Sequence, residues 1–192
     1  MKKAAYYDKQ LIINLLTNSF QTNQSVNYLV QQDKKKTDRI RYLMDYSFEM
    51  CFNYGEVFIS DDERACALIL YPDQKRTSLK SAMLDVKLIF KSIGIANIKK
   101  ALSRESKIKS IQPKMASYYL WFIGVDPEFQ GCGIGSNLLK NVIAHSNEVN
   151  RPVFLETSTL KNLPWYNRWG FEIYHELDLG YKLFFLKRAT DI

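Results

Sequence analysis

Cysteine and histidine are scarce in this chain of 192 residues. The three cysteines, Cys51, Cys66 and Cys132, are an odd number, lie far apart and form no Cys-x-x-Cys pair. Only His145 and His175 could join them as imidazole ligands. This pattern supports neither a disulfide framework nor a zinc site. We therefore expect a fold that depends on its apolar core, with no metal.

Long apolar runs are absent as well. The longest uninterrupted run, from Ala65 to Tyr71, is far shorter than the roughly 20 residues that a bilayer requires, which predicts no transmembrane helix. The N-terminus begins with two lysines after Met1, but no apolar stretch of the kind found in secretory signals follows them. We therefore expect a soluble, cytoplasmic protein with no membrane partner.

The composition is that of a globular protein. Hydrophobic residues make up 46% of the chain, aromatic residues 14% and charged residues 24%. That apolar content is sufficient for a buried core and argues against intrinsic disorder. A chain of this length usually closes one core, so we predict a single domain over residues 1–192.

The net charge of +7 is concentrated in one segment. Residues 80–114 contain nine Lys or Arg against Asp85 and Glu105, and 9 − 2 = 7, so the remainder of the chain is balanced. Such a cluster can attract nucleic acid or an acidic partner. However, only Phe90 could stack on a base, and basic residues opposite an apolar face are typical of any solvated helix. Nucleic acid is therefore the less favoured partner.

Apolar periodicity outlines the secondary structure. It predicts a short helix after Asp8 and further helices over about 37–52, 78–93, 134–149 and 162–169. In the helix over 78–93, one apolar face (Leu79, Ala82, Met83, Val86, Ile89, Phe90, Ile93) lies opposite the basic residues. Residues 95–114 are expected to be a less regular, partly helical connection. Strands are predicted over 56–60, 65–71, 117–125, 152–157, from 171, and 181–187.

This order of elements predicts an α/β (α+β) fold. The runs at 56–60 and 65–71 flank Asp61-Asp62-Glu63-Arg64 and read as an antiparallel hairpin. The apolar strand at 117–125, the amphipathic helix and the strand at 152–157 imply a parallel crossover. We expect one mixed central sheet, with the hairpin joined to the parallel pair and helices on its flanks.

A glycine-rich loop separates the central strand from the next helix. It contains Gly131, Gly133 and Gly135, where missing side chains let backbone amides approach an anion at the helix N-terminus. The spacing Gly-x-Gly-x-Gly is not the dinucleotide fingerprint, and Ser136-Asn137 follow where a P-loop requires Lys-Ser/Thr. The loop therefore indicates an anion site that neither common nucleotide motif describes.

At this loop the sequence resembles the GNAT N-acetyltransferases, whose pyrophosphate loop reads Gln/Arg-x-x-Gly-x-Gly/Ala. Gln130, Gly133 and Gly135 match that pattern. Downstream, Leu-Glu-Thr-Ser at 155–158 and the Asn and Tyr-x-x-x-Gly-Phe elements within 162–171 are also similar to the family. The residues of these motifs are most similar to those of puromycin N-acetyltransferase relatives.

The resemblance implies transfer of an acetyl group from acetyl coenzyme A to a primary amine of a small molecule or peptide. It implies an acceptor side and hairpin over about 1–114 and an acetyl coenzyme A-binding core over 115–192. A homodimer is an open prediction that the resemblance does not decide. The parallel strands would splay apart beside the coenzyme. The residues implied to bind coenzyme A are Ile123, Val125, Gln130, Gly131, Cys132, Gly133, Ile134, Gly135, Ser136, Asn162 and Arg168.

Two side chains are the candidate catalytic residues. The resemblance assigns Tyr166 as the general acid that protonates the departing thiolate, and the alternative is a packed aromatic in a short helix. Residues 117–125 contain no acidic residue or histidine, so Glu156 on the next strand is the nearest candidate base; an ordinary buried pair with Arg or Tyr weighs equally. Cys132 as a covalent nucleophile is rejected, because no histidine follows at an activating spacing. The competing functions are a non-catalytic acyl coenzyme A binder and a basic nucleic-acid or acidic-partner module.

Overall fold

A seven-stranded mixed sheet forms the centre of the molecule. The computed structural model describes residues 1–191. The strands are β1 (Lys2–Lys3), β2 (Gly55–Ile59), β3 (Ala65–Leu70), β4 (Tyr118–Val125), β5 (Val153–Thr157), β6 (Glu172–Asp178) and β7 (Lys182–Arg188). Their order across the sheet is β1-β2-β3-β4-β5-β7-β6. Neighbouring strands are antiparallel except β4 and β5, which are parallel.

Seven α-helices flank this sheet within residues 1–191. They are α1 (Lys9–Ser19), α2 (Gln24–Leu29), α3 (Lys36–Tyr54), α4 (Leu79–Leu88), α5 (Ile98–Ile111), α6 (Ile134–Glu148) and α7 (Leu163–Arg168). Helix α4 continues into a π-turn at Ile89–Ile93. Across the part of the chain that the structure describes, no helix is both long and apolar enough to cross a membrane.

Two apolar cores lie on opposite faces of the sheet. The first joins α1 and α3 to β2, β3 and β4 through residues such as Ile12, Leu16, Met44, Phe48 and Leu68. The second joins α6 and α7 to the other face through residues such as Tyr118, Leu139, Val142, Leu155 and Phe171. A smaller cluster packs Ile108 of α5 against Leu183 and Phe185 of β7. The central strand β4 is therefore covered on both faces, as its continuous apolar sequence predicted.

The two parallel strands separate soon after they meet. β4 and β5 pair at Tyr118 with Val153 and at Tyr119 with Phe154, and the described register ends there. On its other side, β4 has a bulge: Leu68 pairs with Phe122 and Ile69 with Leu120, which leaves Trp121 without a partner. The resulting gap exposes the β5-facing backbone edge of β4.

The apolar face predicted over 78–93 is buried only at its end, at Ile93. Leu79 is 87% exposed and Met83 is 72% exposed, whereas Ser81 is buried at 5%. Polar contacts explain this orientation: Lys80 Nζ lies 3.2 Å from a Glu49 carboxylate oxygen. Lys87 Nζ is 2.6 Å from Asp45, and the Tyr46 hydroxyl donates to Asp85 at 2.7 Å. These contacts direct the polar side of α4 toward α3.

Candidate functional site

The backbone of Ile123 and Val125 faces the gap between β4 and β5. The Asp126 amide donates to the Arg64 carbonyl at 2.8 Å, on the β3 side. Because backbone groups alternate sides along a strand, the amides of Ile123 and Val125 point away from β3. Within residues 1–191, no β5 pairing is recorded at these positions. They therefore offer strand-like hydrogen bonds to an extended ligand.

The Val125 carbonyl is already bonded inside the protein. Ser19 Oγ donates to it at 2.7 Å and Gln130 Nε2 at 3.3 Å. Ser19 reaches it because α1 lies close to β4: a Cβ added at Gly124 would stand 2.8 Å from a Leu16 methyl carbon. Gly124 thus lets α1 approach and fix the orientation of Val125, whose amide remains for a ligand.

The glycine-rich loop adopts a conformation that requires glycine. Gly131 has φ +84° and Gly133 has φ +82°, in the left-handed region that side chains disfavour. A Cβ added at either would meet no atom within 4 Å, so the surface above both is open. Gly133 is the N-cap of α6 and carries no side chain to accept from the first-turn amides. Those amides are available to an anion.

The flanking loop residues have different positions. The Gln130 side chain turns back toward Val125, and Cys132 is exposed. Ile134 is partly buried against the second core. Ser136 Oγ accepts a hydrogen bond from the Trp165 indole at 2.9 Å, which ties the start of α6 to α7. A Cβ at Gly135 would be 3.0 Å from Val125 Cγ2, so this glycine permits the close contact between α6 and β4.

A cavity of about 870 Å³ begins at the gap and extends between α2, α3, α4 and α5. One wall is aromatic and includes Phe20, Tyr46, Tyr119, Trp121 and Phe122. These rings are in contact, for example Phe20 with Phe122 at 5.1 Å and Tyr46 with Trp121 at 6.1 Å between centroids. The bulge places the consecutive side chains Trp121 and Phe122 on this same side. The cavity can therefore hold a substantial, partly apolar ligand.

Tyr166 lies in α7 at the end of the cavity near the gap. Its ring packs edge-on against Phe171 with 5.4 Å between centroids. Burial raises the pKa of Tyr166 well above its ordinary value, with no neighbouring charge contributing, so the hydroxyl keeps its proton at neutral pH. Asn162, just before α7, also lines the cavity. Arg168 is exposed and forms no ion pair within residues 1–191.

Glu156 of β5 is held by two side chains and lines the cavity. The Tyr119 hydroxyl donates a short hydrogen bond to one carboxylate oxygen, and Gln112 Nε2 donates to the other at 2.9 Å. Burial raises the pKa of Glu156, while these hydrogen bonds and the charge of Arg104 act in the opposite direction. The net rise brings the carboxyl closer to the range in which it can exchange a proton at neutral pH.

The structure brings some of the predicted site residues together. Ile123, Glu156, Asn162 and Tyr166 line one cavity. Residues 130–136 form a separate surface at the other end of the exposed β4 edge, and Val125 connects the two. In the part of the chain that the structure describes, no cluster of His, Cys, Asp and Glu could hold a metal ion. The arrangement suits an elongated ligand with an anionic part at the loop and a reactive end in the cavity.

Several residues of this site were not found from the sequence. Tyr119 and Gln112 position Glu156, although they lie 37 and 44 residues from it along the chain. Ser19, which fixes Val125, is 106 residues from its partner. The Arg64 guanidinium stacks 3.7 Å above the Phe129 ring beside the loop. No local motif marks such long-range contacts.

Comparison with known proteins agrees with this geometry. Residues 91–173 match the model of the acetyltransferase (GNAT) domain. A histone acetyltransferase HPA2-related structure from Corynebacterium glutamicum has a TM-score of 0.74 at 18% identity, covering 100% of this chain and 96% of that one. Arylalkylamine N-acetyltransferase 2 from Aedes aegypti has a TM-score of 0.67 at 14% identity, covering 99% and 98%.

A third similar structure carries a different description. The C-terminal condensation domain of Ebony in complex with beta-alanyl-dopamine has a TM-score of 0.72 at 8% identity, covering 97% of this chain and 96% of that one. Identities this low show the fold alone. The predicted fold class is thereby confirmed. The predicted resemblance to the GNAT domain is also confirmed, and the family model places that domain at residues 91–173.

Proposed function

We propose that this protein is an N-acetyltransferase that transfers an acetyl group directly from acetyl coenzyme A to a primary amine of a small molecule or peptide. One observation carries the proposal. The exposed edge of β4 runs from a helix N-terminus with free amides to a cavity that contains Tyr166 and Glu156. The match of residues 91–173 to the GNAT domain supports the same activity.

The residues present fit coenzyme A. The left-handed glycines 131 and 133 leave an open cradle, in which the amides from Gly131 to Ser136 would bind the pyrophosphate. The amides of Ile123 and Val125 would pair with the pantetheine arm. Asn162 would contact the same arm, and Arg168, which is exposed, would reach a phosphate. Acetyl coenzyme A supplies an acyl group already activated as a thioester.

Val125 and Tyr166 would act on opposite sides of the thioester. The Val125 amide, oriented through the Ser19 contact to its carbonyl, would donate to the acyl oxygen and stabilise the negative charge that develops there. Tyr166 would give its proton to the departing thiolate. Its raised pKa means that the proton is present at neutral pH.

Glu156 would accept the proton that the amine loses. A raised pKa makes a carboxylate a better proton acceptor, and Tyr119 and Gln112 fix its orientation. A Tyr119–Glu156 pair with only a structural role is the alternative. Measuring Glu156→Gln against pH separates the two: a base predicts a loss of rate that shrinks as pH rises and more amine is already neutral, whereas a structural pair predicts a constant loss.

The fold alone does not select the chemical class of the amine that accepts the acetyl group. One similar structure is named for arylalkylamines and another for histones, so the fold serves both small and protein amines. The aromatic wall formed by Phe20, Tyr46, Tyr119, Trp121 and Phe122 favours an amine with an apolar or aromatic body. The likeness to puromycin N-acetyltransferase relatives remains a prediction within this proposal, as do the homodimer and the cytoplasmic location.

The test is release of coenzyme A thiol from acetyl coenzyme A in the presence of an amine panel. The panel should contain aminonucleosides, arylalkylamines, polyamines and peptides. We expect amine-dependent thiol release, with the acetylated product identified by mass spectrometry. Binding of coenzyme A without turnover of any amine would favour the non-catalytic acyl coenzyme A binder. Absence of coenzyme A binding would reject the proposed function altogether.

A further inference from the structure

An apolar stripe on α4 and its π-turn faces away from the protein. Its members, Leu79, Met83, Val86 and Phe90, recur at intervals of four, three and four residues, which places them on one side of a helix. Each is between 53% and 87% exposed. Exposed contiguous apolar surface on a folded protein is typical of a surface that meets a partner.

The orientation of α4 is fixed from its other side. Lys80 pairs with Glu49 at 3.2 Å and Lys87 with Asp45 at 2.6 Å. The Tyr46–Asp85 hydrogen bond adds a third connection to α3. Rolling the stripe inward would break these contacts, so its exposure is a property of the folded state.

Lysines border the stripe along one edge. Lys80, Lys87 and Lys91 each follow a stripe residue directly, about 100° further around the helix. Lys80 and Lys87 are paired with α3. Lys91 forms no ion pair within residues 1–191. The apolar and basic character continues toward α5, where Leu102 is 65% exposed and Lys99 is exposed. This is also the segment that holds the entire net charge of the chain.

Charge and apolar surface together select the partner. A second copy of this segment would carry the same +7 charge and be repelled. Nucleic acid phosphates would satisfy the lysines but would leave four apolar side chains in water. A bilayer with anionic lipids satisfies both, because a helix with this composition buries its apolar side at the headgroup boundary while lysines remain among the headgroups.

We propose that the stripe, with Lys91 and Lys99, is a peripheral docking surface for membranes that contain anionic lipids. This inference departs from the prediction of no membrane partner, and it does not depend on the proposed acetyl transfer. Leu79, Met83, Val86 and Phe90 enter the interface. Lys91 and Lys99, which are exposed and form no ion pair within residues 1–191, bind the negatively charged headgroups, so docking weakens as ionic strength rises.

Sedimentation with vesicles tests the proposal. We expect the full chain to bind phosphatidylcholine vesicles that contain phosphatidylglycerol more tightly than phosphatidylcholine alone. The double variant Met83→Ser/Phe90→Ser should lower the partition by about tenfold or more, because each side chain loses its burial in the interface. The matched control is Tyr7→Ser, a change at a residue that is 86% exposed outside this segment, and it should bind like the wild type. Circular dichroism checks that all variants fold.

A tryptophan placed in the stripe reports its position directly. Phe90→Trp should show a blue-shifted emission on anionic vesicles and quenching by brominated lipids, and Tyr7→Trp should show neither. Three outcomes would overturn the proposal. These are no binding to anionic vesicles at low salt, binding that the double variant leaves unchanged, and a concentration-dependent dimer that the double variant abolishes, which would assign the stripe to a second copy.

Discussion

Helices α6 and α4 are both amphipathic, but they present opposite faces to the protein. In α6, the apolar residues Leu138, Leu139 and Val142 are at most 1% exposed. In α4, Leu79 and Met83 are 87% and 72% exposed. An amphipathic pattern therefore shows that the two faces of a helix differ in polarity. The neighbouring elements determine which face is buried.

The neighbours of the two helices differ in kind. Helix α6 connects the parallel strands β4 and β5, and such a crossover must pack its apolar side on the sheet. Helix α4 follows a loop that starts at Pro72 and meets α3 at acidic positions, Asp45 and Glu49. Topology determines the orientation of α6, whereas ion pairs determine that of α4. Four predictions test or refine this contrast.

The largest effect should come from truncating one apolar side chain in each helix. Leu139→Ala in α6 should lower the free energy of unfolding by about 2–5 kcal/mol, because a buried leucine leaves a cavity. Met83→Ala in α4 should change it by less than about 0.5 kcal/mol, as expected for an exposed position. Urea denaturation measures both. A loss above about 1 kcal/mol for Met83→Ala would show that the stripe is buried in solution.

The next effect concerns catalysis at α7, beside α6. Tyr166→Phe keeps the ring in its packing against Phe171 and removes only the hydroxyl. We expect kcat to fall by about 10²-fold, or about 3 kcal/mol of barrier, at the lower end of general-acid contributions because thiolate is a fair leaving group. Single-turnover kinetics measures this change.

Tyr118→Phe is the matched control for that experiment, because Tyr118 is fully buried and its hydroxyl lies 3.2 Å from His145 Nδ1, outside the cavity. It should leave kcat unchanged. Acetylation by Tyr166→Phe at the wild-type rate would return Tyr166 to the role of a packed aromatic residue.

A third prediction concerns the N-terminus of α6. Coenzyme A at about 100 times its Kd should stabilise the wild type by about 2.7 kcal/mol, seen as a rise in melting temperature. Gly133→Asp should abolish that rise, because it places a negative charge at the proposed pyrophosphate site. Gly133→Asn is the control: asparagine tolerates φ +82° better than most residues and adds no charge. An equal loss in both variants would point to backbone strain instead of charge.

The smallest effect should be a pH dependence of stability. Because burial raises the pKa of Glu156 in the folded state, the folded state holds this proton more tightly than the unfolded chain. The free energy of unfolding should therefore fall as pH rises from the ordinary glutamate range to the raised pKa, and stay level above it. Glu156→Gln should remove this decrease in the free energy of unfolding. Glu148→Gln, a change at an exposed residue, should leave it in place. Denaturation at a series of pH values measures it.

Local signals predicted the region around α6 well. The apolar strand at 117–125 and the glycine-rich loop each carry their own signal, and both lie where expected. The six-residue helix α2 was missed, although Asn23 caps it by accepting from the Val26 amide at 3.0 Å, a signal that the sequence contains. Strand β1 has two residues and depends on its pairing with Ile59 and Phe58. No local pattern could have indicated it.

The candidate site was predictable to a similar extent. The loop glycines and Tyr166 stand in short motifs, so the sequence could nominate them. The partners of Glu156 could not be identified, because Tyr119 and Gln112 reach it only through the assembled sheet and α5. The exposed orientation of the apolar side of α4 could not be predicted for the same reason, since it depends on Asp45 and Glu49 more than thirty residues earlier.

The bulge at Trp121 makes β4 tolerant of a change in length at one point. Tyr118 and Leu120, before the bulge, and Ile123, after it, all face the core under α6. Trp121 is therefore an inserted residue that adds a ring to the cavity wall. The residues before and after it keep the faces of the sheet that they would have without it. Deleting Trp121 would restore regular alternation with Leu120 in place, whereas deleting Leu120 would turn Trp121 into the core under α6. The cavity wall can thus gain or lose a ring here while the exposed edge of β4 keeps its register.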